Sequence, residues 1–332
     1  MRTVLIAPDS FKGTYSSAEV ADAIREGIVS VPGLSARVAP VADGGEGTVD
    51  ALREDLSLET VETATVNPWG EPMRASYGRG GAGNSLAIVE VAAANGITTP
   101  TRGIRDPITA STYGTGLLIM DAISRGAEEV IVAAGGSATT DGGRGCIQAI
   151  ERAGGLGSAR IRVLTDVQTL YIDAPSVFGP QKGASPEQIV ELTSALNRWA
   201  VILPRHPGSI RGGGAAGGLA GGLWAKYDAE IESGAAFVLD SIRFDEKARE
   251  SDFLIVGEGR LDDQTPQGKI VSVLMKRFDP ARIFAVVGSL GKGSERISSA
   301  FAGVFVASDL EAMRRAGVAI ASWVLEQEEG HC

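Results

Sequence analysis

Thr3-Val4-Leu5-Ile6-Ala7-Pro8-Asp9-Ser10-Phe11-Lys12-Gly13-Thr14-Tyr15 is the stretch that decides the fold class. The short apolar run suits a strand buried on both faces, and Pro8 with the polar loop behind it ends that strand. Ser16 and Glu19 then make a capping box, and Val20, Ile24 and Ile28 recur on one face of a helix. A second strand is expected over 36–41. It closes at Ala42-Asp43-Gly44-Gly45-Glu46-Gly47-Thr48, which opens a helix through Val49 and Leu52. Strand, glycine-rich loop and helix thus occur twice within about 50 residues, the rhythm of a parallel α/β sheet.

Working outward, residues 58–92 read as extended segments broken by Asn67-Pro68-Trp69-Gly70 and by a hairpin loop over 78–84. The α/β rhythm resumes with a helix over 112–124, a strand over 129–134, a loop over 135–143 and a helix to 153. A strand over 161–165 ends at Asp166, and Ser185-Pro186-Glu187-Gln188 starts a further helix. Strands over 253–256, 283–287 and 304–306 and a terminal helix through Trp323 complete the chain. The early and late segments resemble each other more than the middle. They predict a discontinuous Rossmann-like domain with a parallel sheet, 1–60 plus 252–332, and an inserted mixed α/β domain, 61–251.

The 332 residues suffice for about two such domains. Lys and Arg number 31 against 41 Asp and Glu, a net charge of −10, which disfavours nucleic acid and anionic membranes as partners. Cys146 and Cys332 are the only cysteines, so neither a disulfide framework nor a structural zinc site is expected. The first apolar run is too short for a signal segment, and a cytoplasmic location is expected. Glycine is the outlier: 44 residues, nearly twice the average share, gather in loops that follow strands.

Loops at the carboxyl ends of parallel strands are where α/β sheets bind ligands. Here they also carry Asp9, Lys12, Asp43, Glu46, Thr139, Asp141, Glu258, Asp262, Asp263 and Lys269. Asp and Gly also make ordinary turns and caps, but four loops of this kind together point to a site. Lys12, Lys182, Lys269 and Lys292, four of the seven lysines, lie beside glycine, which suits cations reaching an anion held by backbone amides. For Lys292 a solvated loop lysine is the better reading.

Of the two G-x-G-x-x-G matches, 212–217 follows His206-Pro207-Gly208-Ser209 where a strand should be and 78–83 lies inside the hairpin loop, so neither has the strand-turn-helix context of a dinucleotide fingerprint. A P-loop, the protein-kinase motifs and a G-x-S-x-G elbow are absent. The two histidines, His206 and His331, are poorly placed for a triad. Carboxylates, lysines, hydroxyls and glycine amides remain, and phosphoryl transfer needs those groups: cations and amides on phosphate, carboxylates on Mg²⁺, and a base for the acceptor hydroxyl.

Seven blocks closely resemble the type-1 glycerate kinase family, in that family's order: Ala7 to Gly13, Ala42 to Thr48, Thr112 to Gly116, Gly135 to Gly143, Val177 to Ala184, Gly214 to Leu219, and Gly257 to Thr265. The resemblance spans nearly the whole chain. It implies a two-domain enzyme with its active site in the cleft, which uses ATP and Mg²⁺ to phosphorylate D-glycerate, 2-phosphoglycerate being favoured over 3-phosphoglycerate. Nucleic acid and membrane are not implied as partners; a homodimer is allowed.

Under this reading Lys12, Lys182 and Lys269 neutralise phosphate or the glycerate carboxylate. Gly44, Gly45, Gly135, Gly136, Gly217 and Gly259 bring amides close, and Ser137, Thr139, Gln264 and Thr265 join the nucleotide loops. Asp43, Asp141 and Glu258 are the expected metal contacts. Asp166 is either the general base or a turn-forming carboxylate. Two segments depart from the family: Gln168-Thr169-Leu170-Tyr171 replaces a run ending in Asn-Pro-Leu, and the stretch between Ala153 and Arg160 is short. The first departure keeps open a kinase for another small hydroxy acid or polyol. An inactive nucleotide-sensing regulator is the alternative of another class.

Overall fold

The computed structural model describes residues 2–11, 14–262 and 270–329. The chain divides into two compact units, Met1–Asp43 with Val238–Cys332, and Gly44–Phe237. No helix among the described residues is long and apolar enough to cross a membrane.

The first unit is built on five parallel strands: β1 (Arg2–Pro8), β2 (Leu34–Val38), β9 (Phe253–Glu258), β10 (Ile283–Val287) and β11 (Gly303–Val306). Their order is β11-β10-β9-β1-β2, so early and late segments share one sheet. β1 and β9 pair Val4 with Phe253 through Pro8 with Gly257, and both are almost wholly buried. β2 ends earlier than expected because Pro40 has no N–H to donate; Ala39 and Val41 still reach Ile6 and Pro8 across the gap. Helix Ser17–Val29 has the expected capping box, with Ser16 and Glu19 bonded reciprocally. Its inner face, Val20, Ile24 and Ile28, joins Ile6, Phe284, Met313 and Val324 in one core. Burying each such side chain contributes about 1.5–3 kcal/mol.

The second unit carries β3 (Glu59–Val66), β4 (Pro72–Gly80), β5 (Leu86–Glu90), β6 (Glu129–Ala133), β7 (Arg160–Leu164) and β8 (Glu230–Glu232), hydrogen-bonded in that order. β3, β4 and β5 are antiparallel, and the expected hairpin loop joins β4 to β5. From β5 to β8 all pairs are parallel. Helices Tyr113–Ser124, Arg144–Arg152 and Ala215–Tyr227 contribute Leu118, Ile119, Ile150, Leu219 and Leu223 to the core beneath the sheet. Helix Pro186–Ile202 starts at Ser185 with a second capping box, closed by Gln188.

Candidate active site

In the first unit the chain runs from β1 outward to β2, and β9 returns on the other side of β1. Such a reversal of strand order opens a crevice at the carboxyl ends, the usual ligand position in open α/β sheets. A cavity of about 500 Å³ lies there. Asp9, Asp43, Glu258, Gly259, Ser289 and Ser308 are among its lining residues. Asp9 and Glu258 are 7% and 6% exposed. Glu258 ends β9 and its carbonyl accepts the Gly288 amide at 3.1 Å, while the Asp9 carboxylate accepts the Ser10 amide at 2.7 Å. Carboxylate oxygens are the hard donors that Mg²⁺ prefers, usually one or two of them with water and phosphate completing the shell. Asp43 and Glu258 in one cavity fit that requirement. No group of three or more His, Cys, Asp or Glu among the described residues could hold a metal by itself.

The second unit gathers several loops at the carboxyl ends of its parallel strands. Gly135 follows β6 and touches the Gly44–Gly47 loop: a Cβ there would lie 2.6 Å from the Gly45 Cα, so two backbones meet where only glycine fits. The Thr139–Gly143 stretch is held by Asp141, whose carboxylate accepts from the amides of Thr112, Gly143 and Gly145 and from the Thr112 hydroxyl. Gly217, with φ +65°, packs so closely that a Cβ would stand 1.9 Å from the Thr139 carbonyl oxygen. Ala216, Gly217 and Gly218 all adopt left-handed conformations at the start of helix Ala215–Tyr227.

Lys182 closes the turn Pro180–Lys182 and donates to the Ser137 hydroxyl at 3.1 Å and to the Thr139 carbonyl. Burial pushes its ammonium pKa down to about 7, with the charge of Asp141 opposing. Thr139 is fully buried, and its hydroxyl has no partner among the described residues. Asp166, two residues beyond β7, accepts from the Ser233 hydroxyl at 2.6 Å and the Ala235 amide at 2.9 Å.

The structure therefore brings Ser137, Thr139, Asp141, Lys182 and Gly217 together in one unit, and Asp43, Glu258 and Gly259 in the other. Gly44, Gly45, Gly135 and Gly136 belong to loops packed on each other or on their neighbours. Lys12, Gln264, Thr265 and Lys269 lie outside the described residues. Asp141 uses both oxygens on loop donors, the behaviour of a clamp. Sequence reasoning missed Glu90 and Asn95. Each stands at an end of a short apolar run, the same signature that drew notice to Asp9 and Glu258.

Strand-end carboxylates, a half-buried lysine and glycine-backed loops on two α/β units define an enzyme of the phosphotransferase class. The model of the Glycerate kinase family matches residues 4–154 and 151–327, and the chain belongs to that family. It is 37% identical to the glycerate kinase of Halalkalibacterium halodurans over 90% of this chain and 88% of the relative. The glycerate 2-kinase of Escherichia coli K12 is 34% identical over 86% and 85%. A solved structure from Salmonella typhimurium LT2, described as a glycerate kinase 2, superposes with a TM-score of 0.81 at 32% identity over 99% of both chains.

Proposed function

We propose that this kinase transfers the γ-phosphoryl group of ATP to the 2-hydroxyl of D-glycerate, releasing 2-phosphoglycerate and ADP, in the cytoplasm. The carrying observation is the split in chemistry between the units: carboxylates around one cavity, and a half-buried lysine bonded to a glycine-backed loop. The relative called a glycerate 2-kinase supports the choice of hydroxyl.

In this reading Asp43 and Glu258 hold Mg²⁺, which neutralises charge on the transferring phosphate when bound. Lys182 faces the anionic group of substrate or phosphate. An arriving anion favours its protonated form and so opposes the desolvation that lowers its pKa. Ser137 and Thr139 offer hydroxyls beside it, and Asp141 fixes their loop instead of contacting metal. Asp166 takes the acceptor proton, its bonds from Ser233 and Ala235 orienting the carboxylate. Lys12 and Lys269 are assigned to the phosphates, and Gly44, Gly45, Gly135, Gly136, Gly217, Gly259, Gln264 and Thr265 to the nucleotide loops.

³¹P and ¹³C NMR of a reaction containing ATP, Mg²⁺ and D-glycerate tests this. A proton-coupled ³¹P doublet, from the single hydrogen on C2, with phosphorus coupling at both C1 and C3 and stoichiometric ADP is expected. Phosphate on C3 would overturn the regiochemistry, and a product only from another hydroxy acid would overturn the substrate.

A further inference from the structure

Three loops of the second unit converge on one partly buried segment that no functional assignment has yet used, Glu90–Ile97. Gly47 begins the short helix Thr48–Leu52 with φ +94° and has no side chain to cap it. The first amides of a helix need acceptors, and Glu90 supplies them from the end of β5: its carboxylate accepts from Val49 at 2.8 Å and from Gly47. A few residues on, Ile97 donates to the Gly136 carbonyl at 2.8 Å, and Gly96 pairs with Ser137. Asn95, fully buried, accepts from the amide and hydroxyl of Thr115 and donates to the Ser111 carbonyl. The Asn95 carbonyl accepts the Ala138 amide at 2.9 Å.

We propose that Glu90 is a positioning residue for phosphoryl transfer, holding the Gly44–Gly47 loop in register with the Gly135–Ser137 loop. The inference rests on the reading that these loops surround phosphate. Gly135 and Gly45 meet backbone to backbone, so the first loop's place is set jointly by that contact and by Glu90. Without the carboxylate, Gly47 and Val49 are left as unmet donors and the loop is free to slide. A displacement of about 1 Å among groups that orient a transferring phosphate costs up to about a hundredfold in rate.

A carboxylate is an expensive choice here, which argues that its charge has a use. Burial lifts the Glu90 pKa to about 7, and Asp50 and Glu46, the charged neighbours acting on it, lift it further. Asp50 is itself paired with Arg53 at 2.6 Å. Above pH 7 the ion accepts both amides; below it, protonation converts one acceptor oxygen into a donor. The raised pKa also means that the ionised residue destabilises the fold at alkaline pH relative to a neutral one.

Glu90→Gln separates positioning from simple support. In wild type, kcat/KM is expected to fall below an apparent pKa of about 7. In E90Q that acid limb disappears, and kcat/KM at pH 8 drops about tenfold although the thermal midpoint at pH 8 rises. Hydrogen exchange provides a readout independent of turnover: Gly47 and Val49 amides, corrected for intrinsic pH effects, lose protection below pH 7 in wild type but not in E90Q. Retention of the acid limb in E90Q, pH-independent protection in wild type, or a lower midpoint together with unchanged kinetics would each overturn the proposal. Wild-type protein that phosphorylates nothing overturns the functional reading instead, and the exchange arm still decides the role of Glu90.

Discussion

Asp141 and Thr112 are joined twice, the carboxylate accepting the Thr112 amide at 2.8 Å and its hydroxyl at 2.9 Å. The same hydroxyl accepts the Cys146 amide at 2.9 Å, so one carboxylate ties the start of helix Tyr113–Ser124 to the start of helix Arg144–Arg152. Hydrogen bonds to a charged group contribute about 1.5–3 kcal/mol each when the partner would be left unmet. Asp141→Ala is therefore expected to lower stability by about 2–4 kcal/mol in urea denaturation. An unchanged midpoint with lost Mg²⁺ response would instead make Asp141 a metal contact.

Lys182 predicts opposite pH trends for stability and for binding. Its folded pKa, about 7, lies below the unfolded value of 10.5, so the unfolded chain holds more protons between those limits. Its contribution to stability accordingly rises with pH across that window. Capture of an anion needs the protonated form, so kcat/KM falls as pH rises through about 7. Lys182→Arg keeps the charge and should remove this alkaline limb, while Lys182→Met should lower kcat/KM about a hundredfold or more. Calorimetry in buffers of different ionisation enthalpy should show proton uptake when the anionic ligand binds near pH 8.

Gly217 and Gly183 form a controlled pair. Both have positive φ, but a Cβ on Gly217 meets the Thr139 carbonyl at 1.9 Å whereas one on Gly183 meets nothing within 4 Å. Gly183→Ala should cost only the left-handed penalty, about 1–2 kcal/mol. Gly217→Ala adds a backbone clash that no rotamer relieves, and a loss of more than about 3 kcal/mol, or failure to fold, is expected by chemical denaturation.

How far the sequence reveals this fold depends on whether a feature is local. The strand Thr3–Ala7 and the capping boxes at Ser16 and Ser185 were legible because apolar runs and cap residues act within a few positions. The sharing of one sheet by β1 and β9 was legible from the likeness of the early and late segments. β8 and helix Phe244–Arg249 were not: the strand is three residues long, and that helix begins at a left-handed Arg243 with no side-chain cap. Among site residues, glycine and Asp stood out as types, but their partners did not. That Asp141 serves Thr112, or that Gly217 presses on Thr139, depends on contacts far apart in sequence. Part of the glycine excess thus serves backbone-to-backbone packing between loops, a use that composition cannot separate from ligand approach.

Asp166 and Ser233 allow the proposed base to be distinguished from a cap. Asp166→Asn retains an acceptor for the Ala235 amide but cannot take a proton, so a kcat loss of about a hundredfold or more is expected with little change in thermal midpoint. Ser233→Ala removes the 2.6 Å bond that orients the carboxylate and should cost about tenfold in kcat. If Asp166→Asn lowers stability and leaves turnover near wild type, Asp166 is a helix cap and the base lies elsewhere.

Asp43 and Glu258 line one cavity and carry the proposed Mg²⁺ role jointly, which a metal titration can isolate. Asp43→Asn and Glu258→Gln each keep size and hydrogen-bonding capacity while removing one negative charge. Each should raise the Mg²⁺ concentration for half-maximal rate by about tenfold or more at fixed ATP, with the saturated rate less affected. Ser289→Ala, in the same cavity but uncharged, should leave the Mg²⁺ requirement alone. The double variant tests whether the carboxylates share an ion: for a common site its Mg²⁺ requirement departs from the product of the single effects, whereas independent sites multiply. A Mg²⁺ requirement unchanged in both single variants would remove these residues from the metal's coordination.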